Sequence, residues 1–300
     1  MMRLPEIVLE AVSAAVGVVE VDNTATAPAK TVEATGFRKR RVVEEGTTLF
    51  DLCMQAAERL PRGALADVGA VVAATFTSPA RFPSLAVRAA SALSLGTDAP
   101  ALDLQMACSA YPYALYTASR ISADLSRPVL VLDGDVQSPF VADGDAATAP
   151  LFSDAATATI VRSDSRGASS FATLSRYSEA LSCPAAGPIS MDGFAVFSFV
   201  AAEVAPFLKE FAARAAADEP PLDGFVPHQA NMYMVRQLAK SVGLSDILLT
   251  SGEEFANPGS SSIPLTLATR ARPGRYLVAG FGAGLSASAA TVRLAHGAAL

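Results

Sequence analysis

The sequence is poor in several residues that common chemistries need: its 300 residues include no tryptophan, two histidines and three cysteines. Cys53, Cys108 and Cys183 do not suggest a disulfide framework, which favours a reducing cytoplasm. No apolar run reaches the roughly 18 residues that a membrane span requires. Glu6 and Glu10 interrupt the apolar N-terminal stretch, which argues against a signal peptide. We therefore expect a cytoplasmic protein without membrane contact.

The net charge of the chain limits the kinds of binding partner that we expect. The chain carries a formal net charge of −6, so we do not expect the protein as a whole to bind nucleic acid. One basic run, Arg38-Lys39-Arg40-Arg41, stands out against this background. It fits a solvated strand edge or turn, and it also fits a landing site for an acidic partner or a phosphate group.

Short apolar runs alternate with amphipathic stretches along the chain, which is typical of an α/β domain with buried central strands. The composition, 51% hydrophobic and 17% charged, suits a well-packed enzyme. The predicted strands are Gly69–Phe76, Pro128–Asp133, Ala156–Arg162, Gly224–Pro227 and Arg275–Gly280. The predicted helices begin at Thr47 or Thr48, Ser84, Cys108, Gly193 and Asn231, and Gly243 ends the last of them.

The two halves of the sequence share a layout. In each half a buried strand leads to a helix, then to a chemically distinctive residue, a further strand and a strand of small residues. The distinctive residue is Cys108 in the first half and Asn257 in the second. We infer a duplicated unit, with an N-terminal half at residues 1–162 and a C-terminal half at residues 163–300.

With two histidines, any imidazole chemistry must use His228 or His296. His296 lies five residues from the end of the sequence and is interpreted as a surface or tail residue. His228 follows a buried strand and Pro227 directly, at the start of a helix. Reactive groups of α/β proteins commonly lie at the carboxyl ends of strands, so His228 is the candidate.

Cys108 is the candidate nucleophile. It follows the buried-strand pattern LDLQMA and begins a helix rich in small residues, with Pro112 in the first turn. A thiol at a helix N-terminus feels about half a positive charge, so we expect a lowered pKa. Its backbone N–H is free to bind an oxyanion. Cys53, on an apolar helix face, is interpreted as an inert buried residue, and Cys183 as a loop thiol.

Two further segments are turns by composition. Asn257 lies in EEFANPGSSSIP, where Asn-Pro-Gly alone indicates only a turn. The glycines of GFGAG, residues 280–284, follow an apolar strand, but no helix and further strand come after them. The dinucleotide-binding interpretation therefore fails, and a glycine turn that presents backbone N–H groups remains.

A different class of enzyme is suggested by VLVLDGDVQ, where a strand ends in Asp133-Gly134-Asp135. This pair resembles the D-x-D motif of magnesium-dependent phosphatases. That motif normally comes near the start of a chain, with a lysine and an acidic pair downstream. No convincing downstream set is present, so a phosphatase is the weaker hypothesis.

Five segments together resemble the ketoacyl-ACP synthase III family of thiolase-fold condensing enzymes, in the same order. They are TFTSPARFPSLAVRAASAL, LDLQMACSAYPYAL, VPHQAN, FANPGSSSIPLTLA and GFGAGLSASAATVRL. The similarity covers roughly residues 35–294, and the ordered set is far more specific than any one motif. The resemblance implies an α/β, thiolase-like, five-layered αβαβα fold built from two duplicated halves.

The resemblance also implies a two-step reaction. The cysteine that matches Cys108 takes an acyl group from a thioester, and a malonyl thioester then enters and loses carbon dioxide. The side chains that match His228 and Asn257 donate hydrogen bonds to the malonyl thioester carbonyl. The oxyanion site for the acyl group would be formed by the backbone of Cys108, Gly282, Ala283 and Gly284.

The substrates implied are acyl and malonyl thioesters of coenzyme A or acyl carrier protein, with no cofactor and no metal. The family is dimeric, and Phe82 would close the acyl pocket of the partner subunit. Leu151–Ala156, LFSDAA, matches a family segment that we interpret as a packing element. The positions assigned to substrate binding are Phe82, Phe197, Asn231 and Arg38.

The sequence departs from the family in the region that grips coenzyme A. Family members often carry a Trp and an Arg shortly before T-G-[IF]-R, but here Ala34 precedes Thr35 and the chain has no Trp. Tyr233 stands where an Arg usually follows the histidine motif. The segment between Arg162 and Met191 looks short, which would reshape the acyl tunnel. The acyl donor therefore stays open.

Two alternatives keep the same fold. The first is an acyltransferase of secondary metabolism that passes the Cys108-bound acyl group to a hydroxyl or amine. The second is a non-catalytic partner subunit, which is disfavoured because cysteine, histidine and asparagine are all present.

Overall fold

The computed structural model describes residues 1–141, 145–146, 148–184 and 187–296. The strands are β1 Met2–Val16, β2 Val19–Asp22, β3 Lys39–Val42, β4 Ala70–Ala74, β5 Ala101–Leu104, β6 Val129–Asp135, β7 Ala155–Ser178, β8 Leu181–Ser182, β9 Ser190–Met191, β10 Gly224–Pro227, β11 Gly274–Gly282 and β12 Gly284–Leu294. The helices are α1 Asn23–Thr26, α2 Ala29–Thr35, α3 Leu49–Glu58, α4 Leu85–Ala92, α5 Ala110–Leu125, α6 Gly193–Phe199, α7 Ala205–Asp218, α8 Met232–Val242, α9 Gly252–Phe255 and α10 Ser262–Arg270. None of these helices is long and apolar enough to cross a membrane.

Eight strands form one continuous hydrogen-bonded system in the order β10-β11-β12-β1-β7-β6-β4-β5. Strand β7 joins the two parts of this strand system. The first part of β7 pairs with β6 and with most of β1, whereas its second part, from Phe171 to Ser178, pairs with β12. β4 is parallel to β5 and β6, and β10 is parallel to β11, as expected for strands linked by helices.

Three hydrophobic cores show how the helices are layered on these strands. α3 and α4 pack on the outer face of β4 and β6. α5 and α10 pack between the two parts of the strand system, against residues of β1, β4, β10 and β11. α7 and α8 cover the outer face of β10, β11 and β12. The sequence of layers is therefore αβαβα, and the predicted five-layered fold is confirmed.

The predicted strands are all present, and Gly224–Pro227 was placed with its observed bounds. The predicted start of α3 and end of α8 are also confirmed. Thr48 caps α3 with a capping box that includes Asp51, and Gly243 ends α8 with a φ of 83°. β1 was not predicted, because Glu6 and Glu10 made the segment look interrupted. In the fold Glu6 pairs with Arg293 at 2.7 Å and Glu10 with Arg162 at 2.6 Å.

The predicted boundary between the halves, 162/163, lies inside β7, which continues without a break from Ala155 to Ser178. The halves are thus joined through a shared strand, and their separation as units stays a prediction. Residues 297–300, the end of the predicted second half, lie outside the described residues.

The basic run forms part of a strand edge, as one of the two interpretations expected. Lys39–Val42 pairs with β2, and Lys39 and Arg41 both contact Glu20, at 2.7 and 2.5 Å. The half-buried Arg40 donates to the Asn23 side chain at 3.2 Å. Two of the four basic side chains of the run are therefore paired with one carboxylate.

Candidate active site

Cys108 lies in a single 3-10 turn, Ala107–Ser109, between β5 and α5. α5 begins at Ala110, so the cysteine stands just before the helix, with Pro112 in its first turn as predicted. The Ser109 hydroxyl donates to the Met106 carbonyl at 2.9 Å and lies 2.7 Å from the Ser286 hydroxyl of β12. The turn is thereby fastened to the other half of the protein, and Cys108 is 8% exposed.

Burial raises the pKa of the Cys108 thiol to about 12, and the charge of Asp135 adds to the effect. The backbone groups of Ala283 and of Cys108 itself hydrogen-bond to the thiol and oppose this rise. The sequence predicted a lowered pKa from the helix N-terminus, and that prediction is wrong for the unliganded protein. Desolvation of the nearly enclosed sulfur is the largest cause of the rise.

The glycine turn between β11 and β12 lies directly against Cys108. A Cβ atom on Gly282 would stand 2.8 Å from the Cys108 Cβ and 3.2 Å from its sulfur, with φ at +154°. A Cβ on Gly280 would stand 2.8 Å from the Cys108 carbonyl oxygen. Glycine is needed at both positions because the two backbones approach so closely. The predicted backbone-presenting turn is therefore present, and it lies beside the candidate nucleophile.

His228 lies at the carboxyl end of β10, as the sequence suggested. Its backbone N–H donates to the Ala279 carbonyl at 2.7 Å. The side chain is 1% exposed, and its ring meets Phe281 edge-on with centroids 5.5 Å apart. Burial lowers the pKa of His228 to about 4, and a backbone hydrogen bond with Gly259 offsets this only in part. The imidazole is therefore neutral at pH 7.

The neutral ring carries its proton on one of its two nitrogens. Ser262 contacts one of them, Nδ1. The Ser262 hydroxyl lies 2.9 Å from His228 Nδ1 and accepts a hydrogen bond from the Gln229 N–H at 3.2 Å. Donation to Nδ1 gives the buried serine hydrogen an acceptor. In the tautomer in which Ser262 donates to Nδ1, the ring proton is on Nε2.

Asn257 is held by its backbone as well as its side chain. Its N–H donates to the Leu151 carbonyl at 3.0 Å, and its carbonyl accepts from Gln137 Nε2 at 3.0 Å. Its side-chain oxygen accepts from the Gly259 N–H at 2.9 Å. The segment LFSDAA forms a β-bridge to Asn257 through Phe152. This contact agrees with the packing role that was expected of the segment.

Three parts of the chain meet at one place. The 3-10 turn that carries Cys108 packs against β11 and against a second 3-10 turn, Gly259–Ser261. The first residue of that second turn contacts both Asn257 and His228. The structure thus brings the predicted cysteine, histidine and asparagine to adjoining turns from two halves of the fold.

Comparison with known proteins supports the family resemblance that the sequence showed. Family models of 3-oxoacyl-[acyl-carrier-protein] synthase III match residues 102–179 and, for the C-terminal part, residues 213–294, together more than half of the chain. The β-ketoacyl-[acyl-carrier-protein] synthase III of Neisseria meningitidis serogroup B is 31% identical over 84% of this chain and 86% of its own length. A Streptomyces coelicolor synthase III 2 is 34% identical over 86% and 83%. The chain belongs to the 3-oxoacyl-ACP synthase III family.

The solved structures agree with this membership. The β-ketoacyl-ACP synthase III of Thermus thermophilus superposes with a TM-score of 0.88 at 27% identity, over 96% of this chain and 99% of that one. Members of the synthase III family are acyl-transferring condensing enzymes, and this chain is therefore a condensing enzyme of the transferase class. The phosphatase interpretation falls away. Within the described residues, no group of three or more His, Cys, Asp or Glu side chains is placed to hold a metal ion.

The four positions assigned to substrate binding, Phe82, Phe197, Asn231 and Arg38, have different surroundings. Phe82 is 85% exposed, in the loop before α4. Asn231 is the N-cap of α8, where its side chain accepts from the Met234 N–H at 2.7 Å. Phe197 of α6 stacks on the exposed Tyr233, with ring centroids 6.3 Å apart.

Arg38 lines an open cavity of about 440 Å³. Arg236 and Glu253 also line it, and they form an ion pair at 2.6 Å. The remaining lining residues are Thr24, Val32, Glu33 and Gly36. The cavity has mixed charge, with two arginines facing two glutamates.

Sequence reasoning missed the residues that hold the site together. Ser262 contacts the His228 ring and Gln137 contacts the Asn257 carbonyl, yet both are common polar residues that no local pattern marks as functional. The triple serine after Asn-Pro-Gly was the available signal, because the family motif includes it. The remaining thiols were predicted correctly: Cys53 is buried and Cys183 is exposed.

Proposed function

We propose that Cys108 accepts an acyl group from a thioester and that His228 and Asn257 then bind the carbonyl of a malonyl thioester. The observation that supports this most directly is the contact between the two 3-10 turns, Ala107–Ser109 and Gly259–Ser261. One turn carries the nucleophile, and the other contacts both hydrogen-bonding side chains. A condensing enzyme needs these groups on opposite sides of the new carbon–carbon bond.

In the loading step, the Cys108 sulfur attacks the donor carbonyl, and the donor thiol leaves with the proton. The backbone groups of Cys108 and Ala283 that now contact the sulfur are suitably placed to bind the oxygen of the tetrahedral intermediate. Gly282 lets the second of these approach, because any side chain there would meet the sulfur. Gly284 completes the proposed oxyanion turn.

In the condensation step, loss of carbon dioxide leaves an enolate whose negative charge lies on the thioester oxygen. His228 Nε2–H and the Asn257 amide would each donate a hydrogen bond to that oxygen. Two neutral donors held in a buried site stabilise such an oxygen by several kcal/mol. The enolate carbon then attacks the acyl carbonyl, and the Cys108 sulfur leaves and regains a proton.

The proposed substrates are thioesters of coenzyme A or of an acyl carrier protein, and the names of the relatives mention an acyl carrier protein for those proteins. We assign the entrance to the side of the molecule that carries Arg38, Asn231 and Phe197. The two arginines of the 440 Å³ cavity suit a phosphate group. The stacked pair of Phe197 and Tyr233 offers an aromatic surface beside it, and Asn231 lies between His228 and Tyr233 in the chain.

The proposed enzyme is a homodimer that works in the cytoplasm and needs no resident cofactor. The 85% exposure of Phe82, a large aromatic side chain, supports its insertion into the acyl pocket of a second copy. The three cysteines are free, and a nucleophilic thiol must stay reduced, which supports a reducing compartment. The chemistry described uses only the two thioesters and the side chains of the site.

The test is mass spectrometry of the intact protein after incubation with a panel of acyl thioesters on coenzyme A and on carrier protein. We expect one acyl adduct, located on Cys108 by peptide mapping, with a clear preference within the panel. Labelled malonyl thioester is then added, and carbon dioxide release is measured. Transfer to a hydroxyl or amine would release none. Absence of any adduct with every donor would contradict the proposal.

A further inference from the structure

Two carboxyl groups are buried at the end of β6, and the steps proposed above use neither. Asp133 and Asp135 are both fully buried. Because side chains alternate along a strand, the two point to the same face, the face that packs on α5 and the catalytic turns. Burying a polar group without hydrogen bonds is costly, so the contacts of this pair need a reason.

The two carboxyls have different partners. One oxygen of Asp135 accepts four hydrogen bonds from Thr75, Phe76 and Thr77, at 2.8 to 3.2 Å, and so organises the end of β4. One oxygen of Asp133 accepts a single hydrogen bond, from the Ser260 hydroxyl at 2.5 Å. The second oxygen of each has no hydrogen-bond partner among the described residues. The buried Asp133 therefore has one specific contact, and that contact reaches into the other half of the fold.

Ser260 stands at the centre of the turn that holds the proposed condensation residues. On one side of it, the Gly259 N–H donates to the Asn257 side-chain oxygen at 2.9 Å. On the other side, Ser262 contacts His228 Nδ1 at 2.9 Å. Asp135 supports the same turn sterically, because a Cβ on Gly259 would lie 2.9 Å from its free oxygen.

We propose that Asp133 is a positioning residue for the condensation step, which it serves by fixing the Ser260 turn that presents Asn257 and His228. This inference rests on the roles proposed above for those two side chains. It predicts that Asp133 affects decarboxylation and has little effect on acyl loading, since Cys108 and its oxyanion turn are held by other contacts, among them the Ser109–Ser286 hydrogen bond.

The contact needs a hydrogen-bond acceptor at position 133, and a negative charge is not required. Desolvation raises the pKa of Asp133 well above its ordinary value, and the charge of Asp135 raises it further. An asparagine has nearly the same shape and offers an amide oxygen to Ser260, so it is the conservative replacement.

The experiment compares Asp133→Ala, Asp133→Asn, Ser260→Ala and the Asp133→Ala/Ser260→Ala double variant with the native protein. Loading is measured by intact mass after incubation with the preferred donor, and carbon dioxide release is measured from malonyl thioester. We expect loading within about threefold of native in all four. We expect Asp133→Ala and Ser260→Ala to lose about 10²-fold in the rate constant of carbon dioxide release, because displacement of a catalytic group by about 1 Å has a cost of this size.

Two comparisons separate positioning from a general structural role. Asp133→Asn should restore decarboxylation to within about threefold of native. The double variant should be no slower than the slower single variant, because both changes remove one interaction. The proposal is overturned if Asn is as slow as Ala, if the two losses multiply, or if loading falls as far as decarboxylation. Should Asp133→Ala fail to fold, Ser260→Ala and Asp133→Asn decide the question in the same assays.

The same data keep the two levels of inference apart. If the native protein loads no acyl group or releases no carbon dioxide, the proposed function itself fails. If the native protein does both and Ser260→Ala decarboxylates at the native rate, the proposed function stands and only the role of Asp133 is wrong.

Discussion

Gly282 faces Cys108 so closely that a methyl group on its α-carbon would lie 3.2 Å from the cysteine sulfur. The contact joins the turn at the end of β11 to the turn before α5, and so joins the two halves at the nucleophile. A side chain at position 282 would crowd the sulfur that is proposed to carry the acyl group. The missing side chain is therefore a requirement of the site as well as of the backbone.

Gly282→Ala should slow acyl loading by at least about 10²-fold, because the methyl group displaces the sulfur or the oxyanion turn. Loading is followed by intact mass against time. Gly46→Ala is the matched control: its φ is also positive, at +86°, but nothing lies within 4 Å of the added atom. Native loading in Gly282→Ala, with the control equally native, would show that the glycine is not needed for chemistry.

Cys108→Ala should abolish the acyl adduct, since the other two thiols lack the site. Cys53 is enclosed in the outer core and burial raises its pKa above the ordinary range, while Cys183 is exposed in a loop after β8. Cys53→Ala and Cys183→Ala should therefore load like the native protein. An adduct that persists in Cys108→Ala would assign the nucleophile elsewhere.

His228→Ala and Asn257→Ala should still load acyl groups but lose carbon dioxide release by about 10²–10³-fold each. This is the usual effect of removing one preorganised donor to a developing oxyanion. The measurement is release of labelled carbon dioxide from malonyl thioester by pre-acylated protein. A variant that decarboxylates at the native rate would remove its residue from the proposed enolate site.

Local sequence signals predicted much of this fold and site, and long-range pairing explains what they missed. The capping box at Thr48 and the glycine end of α8 depend on neighbours in sequence, and both were found. β1 was missed because the partners that neutralise Glu6 and Glu10 lie far along the chain. The polar second part of β7 was missed for the same reason, since β12 supplies its pairing.

The features of the site also divide into those that local sequence signals predicted and those that depend on distant parts of the chain. Cys108 and His228 could be predicted because each follows a buried strand. The rise in the thiol pKa could not, because it depends on how completely the β11–β12 turn covers the sulfur. The Asp133–Ser260 contact was equally hidden, since its partners are 127 positions apart. Asp-Gly-Asp alone suggested a metal site, whereas in the fold it supports a turn.

The protein should be a homodimer at micromolar concentration, and Phe82 should influence which acyl groups are accepted. Phe82→Ala removes an 85% exposed ring, so the stability of the single chain should change little. The donor panel should shift towards bulkier acyl groups if, as proposed, the ring closes the pocket of the partner. Light scattering that gives the mass of one chain, or an unchanged donor preference, would exclude Phe82 from the site.

The neutral state of His228 makes stability depend on pH in a defined direction. Its pKa is about 4 when folded and about 6.5 when unfolded, so between these values the unfolded chain binds the proton and the folded chain does not. The histidine therefore destabilises the fold as the pH falls from about 7 to 4.5. At about 1.4 kcal/mol for each unit of pKa shift, the difference amounts to about 2–3 kcal/mol.

The measurement is urea unfolding of the native protein and of His228→Gln at pH 7 and at pH 4.5. The comparison between the two proteins is needed because burial raises the pKa of Asp133 and Asp135, and raised carboxyl pKa values favour the fold as the pH falls. Those groups are present in both proteins and largely cancel. Relative to His228→Gln, the native protein should lose about 2–3 kcal/mol between the two pH values. An equal change in the two proteins would mean that folding does not lower the pKa of His228, and the burial of its imidazole would then have no effect on its protonation.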